Sequence, residues 1–152
     1  MANPLYGQNK ADSHVGWRQN SSVKAHGALA GNLTLDATDM VNSMVHTCDP
    51  AAARNITTPT AAQIVAAMEV KASDSKVSKG DTFQFSFVNA GTAGVDESCT
   101  MVAGSGITLV GGVVIENYDA THDAFSSGSG LFAVQVDNAT SGSEAVSVIR
   151  LA

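Results

Sequence analysis

The chain is poor in charge, in aromatic rings, in cysteine and in proline. Only 14% of its 152 residues are charged, against about a quarter in an ordinary domain. Aromatics make up 5%, so a core has to be assembled chiefly from Val, Ile, Leu, Ala and Met. Two cysteines, Cys48 and Cys99, are too few for a disulfide framework. No apolar run approaches the roughly 18 residues of a membrane helix, so no membrane partner is expected. No positively charged start followed by an apolar core reads as a secretory signal. Basic residues are scarce as well: the formal net charge is −6, where a nucleic-acid binder is usually basic, so no nucleic-acid partner is expected. What remains is 44% hydrophobic, enough for the core of one ordinary domain.

The charges are unevenly spread. Residues 1–30 carry Lys10, Arg18 and Lys24 against Asp12 alone, whereas residues 81–149 carry eight carboxylates and neither Lys nor Arg. An acidic stretch of this kind is ordinarily a solvated surface. The sharper reading is that the basic start docks on an acidic surface of its own oligomer or of a partner.

Residues 1–30 are polar and short of aliphatics, with no sustained period of 2 or 3.6. By itself such a segment does not offset its ordering entropy. It is expected to be an extended arm held by a neighbouring subunit, or by its own domain, with the body in residues 31–152. Tyr6 and Trp17 are the anchors, because aromatics bring the most contact area per residue. Lys10 and Arg18 are the accompanying charges.

Residues 31–55 are ambiguous. Leu33 and Leu35 alternate with polar residues as in a short strand. Met40, Val41, Met44 and Val45 sit at helical spacing behind Asp39, a possible cap, but a strand through Val45-His46-Thr47 fits equally. The clearest local pattern is Pro59 to Met68. Thr60 and Gln63 form a capping box, alanines supply propensity, and Ile64, Val65 and Met68 form an apolar face. A helix this short has to pack on a sheet. Residues 71–80 read as a solvated loop.

From residue 81 the period becomes 2. Phe83, Phe85 and Phe87 alternate with polar residues and enter the core from one face of a strand. Further strands are expected at Ser98 to Val102, Ile107 to Val110, Val113 to Glu116, Phe132 to Asp137 and Ala145 to Leu151, with Gly-, Ser- and Asn-rich turns between them. Six or seven short strands at roughly 10-residue spacing predict a mainly β fold, a β-sandwich or jelly-roll-like domain of antiparallel sheets with one short helix.

Catalytic patterns are weak. There is no Gly-x-Ser-x-Gly elbow and no phosphate loop. Ser21-Ser22-Val23-Lys24 and Ser73-Asp74-Ser75-Lys76 match Ser-x-x-Lys in segments where serine is abundant. His46, Cys48 and Cys99 supply zinc-type donors without paired Cys-x-x-Cys spacing. Asp119, His122 and Asp123 are close together but lack the Asp-x-Asp-x-Asp-Gly pattern of a calcium loop. Four Asn-x-Ser/Thr sequons, at Asn20, Asn32, Asn55 and Asn138, reflect composition. No catalytic residue, metal or cofactor is therefore expected. The two cysteines are expected to be free buried thiols, although spacing alone leaves their pairing open.

The opening Met1-Ala2-Asn3-Pro4-Leu5-Tyr6-Gly7-Gln8-Asn9-Lys10-Ala11-Asp12 resembles the start of small virion structural proteins of tailed phages, notably phages of marine and freshwater cyanobacteria. The likeness recurs at Thr58 to Ala67, at Gly80 to Phe85 and on to Gly91, at Ala103 to Leu109 and at Asn138 to Val146. Residues 13–57 and 69–79 fall outside it. Such proteins are similar to capsid decoration, or cement, proteins, which are small, β-rich and often trimeric, and which clamp neighbouring major capsid subunits from the outer shell. The resemblance implies a virion protein without enzymatic activity. Its partners would be the major capsid protein and further copies of itself, a trimer being preferred. Tyr6, Lys10, Trp17 and Arg18 would lie in the contact. The alternative is a tail, fibre or knob protein binding a host-surface glycan. Such sites usually use exposed aromatics, and Tyr6, Trp17 and Tyr118 are the only non-Phe aromatics here.

Overall fold

A computed structural model describes residues 20–72, 76–91, 97–117 and 128–152. The chain order is β1 (Asn20–Leu29), β2 (Leu33–Thr34), α1 (Ala37–Asn42), β3 (Ser43–Pro50), β4 (Arg54–Thr57), α2 (Ala61–Lys71) and β5 (Thr82–Asn89). It continues with β6 (Cys99–Val102), β7 (Ile107–Val110), β8 (Val114–Ile115), β9 (Ser129–Asn138) and β10 (Ala145–Arg150). The fold is mainly β, as the alternation predicts. Six strands pair in the order β1-β3-β5-β9-β10-β7 and four in the order β2-β4-β6-β8.

The sheets are mixed where antiparallel ones were expected. β1/β3, β3/β5, β2/β4, β4/β6 and β7/β10 pair in parallel, while β5/β9, β9/β10 and β6/β8 are antiparallel. The reason is the route of the chain. From β1 to β9 successive strands belong alternately to the six- and the four-stranded sheet. Parallel neighbours require crossover connections, and here the crossover is the excursion through the other sheet.

One face of the larger sheet is dry. Phe83, Phe85 and Phe87 of β5, Phe132, Val134 and Val136 of β9, and Val146 and Val148 of β10 are all buried. Phe85 stacks on Phe132 with ring centroids 5.2 Å apart. Ile56, Cys99, Met101 and Ile115 of the smaller sheet complete the same core. The helix α2 adds Ala61, Ile64, Val65 and Met68.

The capping box is present. Gln63 N donates to Thr60 Oγ1 (3.2 Å), and Thr60 N donates to Gln63 Oε1 (2.9 Å). Gly106, at φ +76°, lets the β6–β7 turn close onto α2, because a Cβ there would lie 2.9 Å from that of Ala61. The ambiguous stretch holds both elements. α1 buries Met40 and Val41, then β3 begins directly at Ser43 and leaves Met44 exposed. The cap is Asp36, whose Oδ1 accepts from Thr38 N (2.8 Å) and Asp39 N (3.0 Å). Asp39 sits in the first turn instead, where its charge suits the helix dipole. Within the expected solvated loop, Val77 is buried, and Ser78 N donates to Asp81 Oδ2 (2.8 Å).

Candidate functional site

Tyr6, Lys10, Trp17 and Arg18 lie outside the described residues, as does the Asp119, His122 and Asp123 group. What the structure describes is the strand into which residues 1–19 lead. Ten residues of the expected arm, Asn20–Leu29, form β1, one of the two edges of the six-stranded sheet, β7 being the other. Its alternation is hidden from the sequence because the ladder is irregular. Asn20, Ser21 and Ser22 all face Ser43, and the register shifts again between Ala25 and Ala28. Gly27, at φ +68°, adopts the left-handed conformation within that second irregularity.

Side chains bind this edge to its neighbours. Lys24 Nζ lies 2.7 Å from Asp39 Oδ2, joining β1 to α1. Ser22 Oγ donates to the Asn42 carbonyl (3.1 Å), and Arg54 Nε donates to that of Leu29 (3.4 Å). Val23 remains 63% exposed, so the strand presents outward an apolar side chain and a backbone edge that no described strand pairs.

Below this surface lies a histidine pair. His26 Nε2 and His46 Nδ1 are 3.1 Å apart, sharing one proton position. His26 also stacks on Phe87, and His46 meets Phe85 edge-on. Burial, then the Lys24 ammonium, lowers the His26 pKa from its ordinary value. Burial, then His26, lowers that of His46 to about 4. Both rings are therefore neutral at pH 7. His46 Nε2 is buried and has no hydrogen-bond partner among the described residues. The tautomer that donates from His46 Nδ1 to His26 leaves a bare lone pair at Nε2 rather than a stranded N–H.

The zinc-type donors are divided. His46 is turned toward His26, whereas Cys48 of β3 faces Cys99 of β6, with Sγ atoms 3.4 Å apart. Both cysteines are free thiols and buried, as expected. Among the described residues no three His, Cys, Asp or Glu side chains are grouped to hold a metal ion. Of the two Ser-x-x-Lys matches, the first has its lysine, Lys24, committed to Asp39. The second has Ser73, Asp74 and Ser75 outside the described residues.

Two further polar features were not legible in the sequence. Asn89, buried at the end of β5, donates through Nδ2 to the carbonyls of Glu97 and Ile115, and its Oδ1 accepts from Gly91 N. It thereby ties the larger sheet to the smaller one. A cleft of about 590 Å³ lies beside α1 and α2. Its polar groups already serve the fold: Asp36 caps α1, Gln63 caps α2, and Lys71 Nζ donates to the Val41 carbonyl (2.8 Å). Among the described residues no helix is long and apolar enough to cross a membrane.

No family model, curated protein or solved structure matches the chain.

Proposed function

We propose that this chain is a phage virion structural protein, and within that class a capsid decoration protein that clamps neighbouring major capsid subunits. The observation that carries the reading is the placement of β1. The opening residues 1–12, which resemble phage virion proteins, lie a few positions before an edge strand, β1, whose outer backbone row has no paired strand among the described residues. A strand of this kind, continuous with a basic lead-in, is suited to a binding surface made by extension rather than by a pocket. Glu116, Asp137 and Glu144, which reach the surface in a stretch without Lys or Arg, offer complementary charge on a neighbouring copy for Lys10 and Arg18. Tyr6 and Trp17 would supply the apolar anchors. A homotrimer on the outer shell is the assembly proposed. Many copies make modest individual contacts sufficient.

The test is copy number in purified particles together with binding of the purified chain to capsid shells. A decoration protein is present at on the order of hundreds of copies per particle and rebinds shells that lack it. A few tens of copies, with binding to glycan in place of shells, would refute the reading in favour of a fibre or knob. Trp17→Ala should reduce shell occupancy, and unchanged occupancy removes the lead-in from the contact. The mass in solution with and without residues 1–19 then reports whether that segment joins subunits. The cut belongs at residue 19 and not at 30, because β1 is part of the sheet.

A further inference from the structure

We infer that Cys48 and Cys99 form a two-electron redox site, which a low-molecular-weight peroxide converts to a disulfide stapling the two sheets together. The pair stands on opposite sheets. Cys48 lies on β3, in register with Asn89 of β5, and its carbonyl accepts from Ala90 N (2.7 Å). Cys99 lies on β6, in register with Arg54 of β4 on one side and Ile115 of β8 on the other. Both backbones are thus held by ladders, and the sulfurs already touch at 3.4 Å. A disulfide needs a separation of about 2.05 Å, so each sulfur has to move by only about 0.7 Å, within reach of side-chain rotation. The chain has no third cysteine to compete.

The two thiols are not equivalent. Either sulfur can donate in the hydrogen bond they share; with the Cys48 S–H donating to Cys99 Sγ, the bond lowers the Cys99 pKa and, with burial, raises that of Cys48. In that arrangement Cys99 is the nucleophile. Its thiolate attacks one oxygen of hydrogen peroxide, the O–O bond breaks, and the departing hydroxide takes up a proton as water. Cys48 Sγ then attacks the Cys99 sulfenic sulfur. The S–O bond breaks, a second water leaves with the Cys48 proton, and the S–S bond forms. Two thiols lose two electrons and two protons in all, and the peroxide oxygens gain them.

The experiment uses the full chain, purified reduced and treated with hydrogen peroxide, then denatured in N-ethylmaleimide and weighed intact. The expected product is a monomer about 2 Da lighter that takes no maleimide, where the untreated chain takes two. Its thermal midpoint should rise by about 10 °C, because the bridge closes a long loop across the core, and dithiothreitol should reverse the rise. Cys48→Ser should abolish the loss of mass and leave Cys99 to oxidise further. If that variant does not fold, the wild-type labelling decides by itself. Two maleimides retained after peroxide would overturn the inference. So would a gain of about 32 Da without a cross-link, or disulfide-linked dimers in place of the monomer.

Discussion

Acid should unfold this protein earlier than its carboxylates alone require, and the group responsible should be His46. Its ring is fully buried, between Phe85 and the His26 ring. In the unfolded chain a histidine titrates near its ordinary 6.5, whereas in the fold His46 titrates near 4. Between these values the unfolded state binds the proton and the folded state does not. Stability is therefore intact above pH 6.5 and is lost as the pH falls toward 4. At pH 5 the difference approaches one proton, which corresponds to a slope of about 1.2 kcal/mol per pH unit. Between pH 7 and pH 5 the accumulated loss is about 2 kcal/mol, a considerable share of a typical domain's stability. His26, also lowered by burial, adds in the same direction, while the Asp39 carboxylate opposes and Lys24 assists the shift. Urea unfolding followed by far-UV circular dichroism at half-unit steps from pH 7 to pH 4.5 measures the slope. His46→Phe and His46→Gln differ in packing but share the loss of a titrating group. Both should flatten the slope relative to wild type, and subtraction removes the carboxylate background. A variant that folds and retains the wild-type slope would refute the assignment to His46.

Three further perturbations probe the framework, each read by the same urea assay. Phe85→Ala, which removes a fully buried ring stacked on Phe132, should cost about 3–5 kcal/mol. A loss below about 1 kcal/mol would mean that this ring is not central to the core. Asn89→Ala leaves the Glu97 and Ile115 carbonyls without their inter-sheet donor and should cost about 2–4 kcal/mol. Asn89→Asp should be no better, since a carboxylate cannot donate to them. Thr60→Ala removes the capping box of α2 and should cost about 1 kcal/mol, while Thr60→Ser should be nearly neutral.

Elements with a local cause were legible in the chain. The α2 helix announces itself by Thr60 and Gln63, because a capping box is satisfied within one turn. The β5 and β9 strands announce themselves by alternation, because each buries one face. Residues 37–50 were ambiguous because helix and strand abut there without a loop, so neither period runs long enough to dominate. β1 was hidden for a related reason: its register shifts break the period, and as an edge strand it buries little. The candidate site was the least legible part. His26 and His46, 20 residues apart, meet only because β1 lies beside β3, and no local pattern marks that pairing.

Composition and short-range pattern were enough to set a mainly β chain, a phenylalanine-lined core and one well-capped helix. Each of these is decided by interactions between residues a few positions apart, or by a strand having one dry face. Which strands pair, and in which direction, is not written in any one strand, since a period of 2 looks the same whether a neighbour runs parallel or antiparallel. The alternation of the chain between two sheets settled it. The same long-range pairing brought Cys48 to Cys99 across 51 residues and set His46 beneath the edge strand.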